Sequence, residues 1–397
     1  MRRIQRAALL AFLFAGTVFA QSDIPSLEKR VESIRGLSFR RPVRVEKVDA
    51  AGMREVIRRE MAREYPEGEW PAMESVLKTF GFIPPKSNLK AILAGLMEDQ
   101  VVGLYEPRGR TLYVSSAPVQ GEGLLEALGP GVSMTNVYLV HEMAHALVDQ
   151  HFPLLETGIE DHQNEDRASA ARCVVEGDAT WVMLTYLYGV LNIPADQKSA
   201  MDDLMGSMGL GRELMGSAAP AYIQENLLMG YLGGLALVKE AYARGGTAGI
   251  DALYRRPPVS MEQVLHPRKY FAGTDPPVQA RFPEPETWRT GGWQRVGEGT
   301  WGELNVRIWL AERGVAEDRA EKAAEGWGGD FYRVMKGPDG STGFVWRTCW
   351  DTEADAAEFA AACGPGGGLR ASRSGRWVTV VRGGPRSEAV PEVRPAA

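Results

Sequence analysis

The sequence predicts an α+β fold, in which a mainly helical domain with a small edge β-sheet is followed by a small α+β domain. Segments with the apolar periodicity of helices fill much of residues 50–270. Two β-rich runs flank a turn at residues 106–110. Beyond residue 287, eight of the ten tryptophans occur and strand-like runs alternate with helical ones. This change in composition marks a second structural unit.

The first twenty residues predict a secretory signal. Two arginines follow Met1, residues 7–19 are apolar, and Val18-Phe19-Ala20 has the small-residue pattern of a cleavage site, so we expect cleavage after Ala20. The mature protein would be secreted or periplasmic, and an uncleaved anchor is the alternative. No later segment has 18 uncharged apolar residues, so we expect no stable membrane span. The net charge of −6 gives no reason to expect a nucleic-acid partner, and no pattern indicates an oligomeric state.

Residues 21–98 predict a helical scaffold that precedes a hairpin. Apolar periodicity predicts helices at residues 26–34, 53–64, 70–80 and 89–97, with an extended segment at 42–46. Residues 101–115 predict the hairpin, because β-rich runs flank Glu106-Pro107-Arg108-Gly109-Arg110. Two uses of this hairpin stay open. It is either a strand beside a substrate cleft, against which an extended peptide can pair, or a plain part of the scaffold.

The sequence His141-Glu142-Met143-Ala144-His145 carries the strongest chemical signal in the chain. Residues i and i+4 lie above one another on a helix, so His141 and His145 can point two imidazoles at one metal ion. Glu142 then stands beside the first ligand, where it can accept a proton from an activated water. Apolar residues cover nearly every face of this segment, which predicts a buried helix with Ser133 as its N-cap. Two core histidines without a metal are the alternative.

A second long helix is predicted at about residues 165–191, and Glu176 lies in its apolar centre. A glutamate there is unfavourable unless it is paired or bound to a metal, so Glu176 is the predicted third ligand. His151 is the rival, because it follows His145 by six residues. That spacing needs a glycine midway to end the helix, and Val148 stands there instead. Cys173 is either a small buried apolar residue or a group near the metal.

These residues together resemble the gluzincins, the thermolysin-like branch of the zinc metallopeptidases. The resemblance is carried by the two histidines, by Glu176, and by Glu176-Gly177-Asp178-Ala179-Thr180, which is similar to the third-ligand segment of some members. It is closest to little-characterised secreted bacterial proteins with the same Pro-Pro-x-Ser-x-Glu-Gln-x-Leu-His-Pro segment, here residues 257–267. The departure is Thr180, which stands where an aspartate often supports a ligand histidine. Thr180 or Asp178 would take that role.

A further buried helix is predicted at residues 229–242, and a segment with two candidate functional residues follows it. Zinc peptidases usually supply a histidine or tyrosine from beyond the metal helices to stabilise the oxyanion. His266 and Tyr270, four residues apart, are the candidates for this role. Packing without a catalytic role is the alternative for both residues.

The last part of the chain predicts a domain without a catalytic constellation. Its tryptophans are expected to form a core rather than a ligand platform, and Cys349 is expected to pair with Cys363 in an oxidising compartment. The predicted organisation is a signal peptide (1–20), a zincin-like peptidase domain (21–273), a proline-rich linker (274–287), a small tryptophan-rich α+β domain (288–383) and a disordered tail (384–397).

The resemblance implies a secreted zinc metallopeptidase that acts on a peptide or protein substrate. Zn²⁺ would be held by His141, His145 and Glu176, with Glu142 as the general base. Two other functions stay open. One is a zinc hydrolase of a non-peptide amide such as a cell-wall bond, and the other is a non-catalytic, zinc-stabilised binding protein. The presence of Glu142 argues against the second.

Overall fold

The computed structural model describes residues 23–98, 103–116, 133–161, 164–197, 219–364 and 368–384. The predicted signal segment and all but the first residue of the predicted tail lie outside these residues, so both stay predictions. Thirteen helices and two small sheets within the described residues confirm the predicted α+β class.

The helices are α1 (Ile24–Arg35), α2 (Ala50–Glu64), α3 (Trp70–Phe80), α4 (Leu89–Glu98), α5 (Met134–Asp149), α6 (Glu165–Val190), α7 (Ala221–Arg255), α8 (Met261–Leu265), α9 (Pro267–Ala272), α10 (Glu286–Thr290), α11 (Gly302–Glu312), α12 (Glu317–Ala324) and α13 (Glu353–Cys363). The strands are β1 (Arg44–Val48), β2 (Gly103–Glu106), β3 (Thr111–Ser115), β4 (Gln294–Gly299), β5 (Trp327–Lys336), β6 (Thr342–Trp350), β7 (Leu369–Ser374) and β8 (Trp377–Arg382). None of the described helices has both the length and the apolar character that a membrane span needs.

The first sheet has the order β1-β3-β2 and lies between α2 and α5. Strands β2 and β3 form the predicted antiparallel hairpin, with Leu104 opposite Tyr113. Strand β1 pairs in parallel with β3 on the side away from β2. Strand β2 is therefore an edge strand, and its outer backbone groups face helix α5.

Helices α5, α6 and α7 form the centre of the first unit. Each begins at a recognisable signal: Ser133 caps α5, Asn164 caps α6, and Pro220 precedes α7. Helix α6 packs between α5 and α7, and its contact with α7 is very close. A Cβ atom added to Gly177 would lie 2.2 Å from the backbone carbon of Gly234. Two glycines thus let the backbones of α6 and α7 touch.

Helix α1 packs against α5 and α6 and is anchored by a buried ion pair. Arg35 Nε donates to Asp178 Oδ2 at 2.9 Å, and Arg35 Nη2 donates to Asp251 on α7 at 2.8 Å. Both Arg35 and Asp178 are fully buried. A single guanidinium therefore ties α1 to the two helices that follow the metal-binding motif.

The second sheet has the order β4-β5-β6-β8-β7 and is covered on both faces. Side chains alternate along β5, so Tyr332 and Val334 join the main core while Phe331 and Met335 face a second cluster. Phe282 and Trp288 belong to that second cluster. The proline-rich segment therefore packs on the sheet. As expected, the tryptophans of this region are mostly core. Those that are fully buried are Trp301, Trp309, Trp327, Trp346 and Trp350.

The two units share one hydrophobic core. Phe80 of α3 stacks on Phe344 of β6 with 4.1 Å between ring centroids, and it meets Trp301 edge-on. The predicted disulfide is wrong, because Cys349 and Cys363 are both free thiols. Cys363 lies in the main core, whereas Cys349 alternates along β6 with the residues that face this core. The two sulfurs therefore belong to opposite faces of the sheet.

Candidate metal centre

Helices α5 and α6 bring three donor atoms together. His141 and His145 lie one helical turn apart on α5, and Glu176 faces them from the middle of α6. The Nε2 atoms of the two histidines are 3.0 Å apart. Glu176 Oε2 lies 3.3 Å from His141 Nε2 and 3.8 Å from His145 Nε2. All three residues are buried.

These distances fit a tetrahedral zinc ion. Bonds of about 2.0–2.1 Å at tetrahedral angles place neighbouring donor atoms about 3.3 Å apart. The three observed distances of 3.0, 3.3 and 3.8 Å average close to that value. Both carboxylate oxygens of Glu176 are buried and accept no hydrogen bond from any described residue. A metal ion would satisfy them, so the donor set fits the group that the resemblance implies.

The protonation states of the donor residues also favour metal binding. Burial lowers the pKa of His141 and of His145 to about 3, so both imidazoles are neutral, which is the form that binds metals. Burial raises the pKa of Glu176 to about 7 and the pKa of Glu142 well above its ordinary value. Arg172 offsets only part of the rise for Glu176, and neither carboxyl group forms an ion pair with a lysine or arginine among the described residues. A bound cation would compensate the charge of both.

Strand β2 orients the predicted general base. Glu142 Oε2 accepts a hydrogen bond of 2.7 Å from the backbone N–H of Tyr105. The Tyr105 hydroxyl donates to Asp149 Oδ2 at 2.8 Å, so one residue bridges two turns of α5. Gly103, on the same strand as Tyr105, also lies against Glu142. A Cβ atom added to Gly103 would stand 3.4 Å from the Glu142 Cγ atom. The edge of the hairpin therefore fixes the carboxylate next to the donor triad.

The backbone, rather than Thr180 or Asp178, supports the first histidine. The His141 ring donates a hydrogen bond to the backbone of Ala179, which partly offsets the lowering of the His141 pKa by burial. Asp178 is instead paired with Arg35. The Thr180 hydroxyl is buried without a hydrogen-bond partner among the described residues. We expected a side chain to support the His141 ring, but the backbone carbonyl of Ala179 on α6 does so instead.

Tyr231 on α7 is a residue near the triad that the sequence analysis missed. Its ring centroid lies 6.2 Å from that of His141. Burial and the nearby Glu176 and Glu142 raise the pKa of Tyr231 well above its ordinary value, so the phenol keeps its proton. Glycines at 230, 233 and 234 surround it, and this cluster is the sequence signal for a close helix approach at this turn.

His266 and Tyr270 bond to residues outside the triad, so no observed contact supports their predicted role at the metal. His266 Nε2 lies 2.8 Å from Glu303 Oε1 on α11. The Tyr270 hydroxyl donates to the backbone oxygen of Arg256 at 2.6 Å. Helix α8 packs against α11, so the segment that follows it is turned toward the second unit. Both residues therefore hold the junction between the units.

His151 and Cys173, the two remaining candidates for a position near the metal, have partners outside the triad. His151 lies just beyond the end of α5, and its Nε2 is 2.8 Å from the Ser38 carbonyl oxygen, so it belongs to the α1 side and not to the triad. Cys173 Sγ lies 3.6 Å from the Met229 carbonyl oxygen and 3.7 Å from Met261 Sδ. Cys173 therefore behaves as a buried packing residue.

A second group of acidic residues within the described residues already holds a cation of the chain itself. Its members, Glu262, Asp275 and Asp351, all contact Lys269. The three carboxylates lie 2.6–2.8 Å from Lys269 Nζ. This group links α8 and α9 to the end of β6. It is an ion-pair network and not a second metal centre.

Comparisons with known proteins identify no family for the residues of the metal centre. Residues 289–365 match a family model described as "Domain of unknown function (DUF8575)", which lies within the second unit. No curated protein matches the chain. A solved structure from Chloroflexus aurantiacus, described as "a putative hydrolase with a novel fold", is similar at 19% sequence identity and a TM-score of 0.39. That likeness covers 63% of this chain and 87% of the other.

Proposed function

We propose that this protein is a zinc-dependent peptidase of the gluzincin type. The observation that carries the proposal is the triad of His141, His145 and Glu176, whose donor atoms stand at tetrahedral spacing beside Glu142. When bound, zinc supplies Lewis-acid chemistry that lowers the pKa of a water and polarises a carbonyl. The remaining chemistry is performed by side chains of the chain itself.

Glu142 is the proposed general base. Its carboxylate is held by the Tyr105 backbone N–H, so it needs no rearrangement to accept a proton from the attacking water. The same carboxyl group can then deliver that proton to the leaving amine. Tyr231 is the proposed hydrogen-bond donor to the carbonyl oxygen as negative charge develops there, because its phenol lies beside the triad and stays protonated.

The position of β2 favours a peptide as the substrate. An edge strand offers unpaired backbone groups, and an extended peptide can add to it as a further strand. The N–H of Tyr105 already points away from β3 and toward Glu142. A peptide paired with this edge would pass beside the base and the triad.

Metal content tests the donor set. Glu176→Ala should lose most of the bound zinc, because a buried ligand with two unsatisfied oxygens is removed. His151→Ala is the matched control and should keep the metal, since His151 bonds to Ser38 instead. Metal analysis of the purified proteins by mass spectrometry gives the stoichiometry. Zinc retained by the Glu176 variant and lost by the His151 variant would refute the assignment.

Cleavage of a broad peptide library tests the reaction. Glu142→Gln should keep zinc and lose turnover by about 10²-fold or more, because the amide cannot accept the proton. The same assay on cell-wall fragments separates a peptidase from a hydrolase of another amide. Wild-type turnover by the Glu142→Gln protein would contradict the role of Glu142 as general base. If the zinc-loaded wild type cleaves neither substrate, the proposed function is wrong.

A further inference from the structure

A cavity on the α5 side of the first sheet has no role in the proposed reaction. It has a volume of about 250 Å³, is open to solvent, and lies between the entry to β1, the tip of the β2–β3 hairpin and the end of α5. The residues that line it are Arg41, Pro42, Val43, Arg44, Tyr105, Gly109, Arg110, Ala146 and Gln150. Three arginines and no acidic residue are among them. The cavity is therefore lined by positive charge.

Two of these arginines are available to a ligand. Arg44 is paired with Glu46 at 2.5 Å. Arg41 and Arg110 form no ion pair with any residue that the structure describes, and both are exposed. Burial and Asp149 raise the pKa of the Tyr105 hydroxyl, while Arg41 and Arg110 act in the opposite direction, so both guanidinium groups lie near that hydroxyl. Two unpaired positive charges thus face one wall of the cavity.

The backbone of Arg41 is held in place. Gln150, which is buried, accepts hydrogen bonds from the N–H groups of Arg40 and Arg41 at 2.8 and 3.1 Å. Its amide nitrogen donates to the Arg41 carbonyl oxygen at 3.1 Å. This clamp fixes the chain where Arg41 projects. The charge at this position is therefore organised before any ligand arrives.

Arg110 has an unusual backbone conformation. Its φ angle is +52°, in the left-handed region that favours glycine or asparagine. Glycine adopts this conformation with less strain than arginine, and strained residues of this kind cluster at binding sites. The hairpin thus carries a positive side chain at a position where glycine would be less strained.

We infer that this cavity binds a tetrahedral oxyanion of the phosphate class through Arg41 and Arg110. Two guanidinium groups match a dianion in charge, and each can donate two parallel hydrogen bonds to it. Tyr105 lines the same cavity and also holds Glu142, so the ligand would lie against the residue that orients the proposed base. The inference does not depend on the proposed hydrolysis, because binding is measured directly.

Titration of the zinc-loaded protein with inorganic phosphate, followed by ³¹P NMR, tests the site. Arg41→Gln and Arg110→Asn should each weaken binding by about tenfold or more, since each removes a charged donor. Asparagine tolerates the left-handed conformation, so the second variant removes the charge and keeps the turn. Arg108→Asn is the matched control at the same hairpin tip. Arg108 pairs with Glu160 and is not among the residues that line the cavity.

The outcomes are separable. Loss of phosphate binding in the Arg41 and Arg110 variants, with retention in the Arg108 variant, supports the site. Equal binding by all four proteins would place the phosphate elsewhere, for example at the zinc, and would overturn the inference. A wild type that shows no phosphate binding would overturn it as well. Methyl phosphate in a second titration distinguishes the free ion from an ester, since tighter binding of the ester indicates a phosphomonoester ligand.

Discussion

Tyr231 shows how a single side chain can complete a centre from a third helix. The triad and Glu142 come from α5 and α6. Tyr231 reaches the centre from α7, with its ring 6.2 Å from His141. Gly230 beside it faces Glu176, since an added Cβ would stand 3.8 Å from the Glu176 Cγ atom, at ordinary contact distance.

Replacing Tyr231 by phenylalanine should lower kcat and leave zinc content unchanged. Loss of one oxyanion donor typically reduces turnover by about 10²-fold or more. Tyr270→Phe is the matched control, because its hydroxyl donates to the backbone of Arg256 at the junction. Steady-state kinetics with zinc analysis decide the matter. If both variants turn over like the wild type, Tyr231 is a packing residue.

At the residue scale, local chemistry made the donor set predictable. The four-residue spacing of His141 and His145 needs only a helix, and the cost of burying a carboxylate pointed to Glu176. The role given to His266 rested on chemical need alone. The structure instead shows His266 bonded to Glu303, a buried glutamate of the second unit, and tertiary packing sets that partner.

At the scale of elements, the contact between Gly177 and Gly234 sets the spacing of α6 and α7. Gly177→Ala should lower the free energy of unfolding by about 1–3 kcal/mol or more, because its Cβ would overlap the α7 backbone. Zinc affinity should fall too, since Glu176 is the preceding residue. Chemical denaturation and a zinc titration measure the two effects.

Gly189→Ala is the matched control on the same helix. Nothing lies within 4 Å of an added Cβ there, so this change should leave stability unchanged or raise it by about 1 kcal/mol. If Gly177→Ala and Gly189→Ala had equal stability and zinc affinity, the helix contact would not constrain the centre.

The elements predicted from the sequence are those with strong local signals. Helices such as α3 and α6 have clear periodicity, caps or both, and their observed bounds lie within one residue of prediction. Strand β1 was predicted only as an extended segment, because its parallel pairing with β3 joins residues far apart in the chain. Strand β7 was missed because its exposed, polar residues show no alternation, and only pairing with β8 makes it a strand.

At the scale of the whole molecule, buried acid groups lie close together near the junction of the two units. They are Asp166, Glu262, Glu303 and Asp330. Burial raises the pKa of all four, to about 8 for Glu262 and to about 6 for Asp330. Lys269 donates hydrogen bonds to Glu262, Asp275 and Asp351. Its one positive charge is shared by three carboxyl groups, so Glu262, the most buried of them, keeps its proton most readily. Burial opposes a charge on His266, but its bond to Glu303 raises the pKa of that imidazole overall.

The stability of the protein should therefore fall as the pH rises from about 5 to 8. Acid groups with a raised pKa favour the folded state while they are protonated, and this contribution is lost as the pH passes the raised value. Each titrating group contributes about 1.4 kcal/mol per pH unit. Glu262→Gln should flatten the decline, and Glu284→Gln, an exposed site, should not. Denaturation curves at pH 5, 6, 7 and 8 test this, and equal slopes for wild type and Glu262→Gln would contradict it.

The buried pair of Arg35 and Asp178 limits how far the chain can be shortened during maturation. Here a cut beyond Arg35 would leave the Asp178 carboxylate buried without its cation, two residues from Glu176, and breaking such a pair costs about 3–5 kcal/mol. Any shortening of the chain that preserves the centre must therefore leave Arg35 in place.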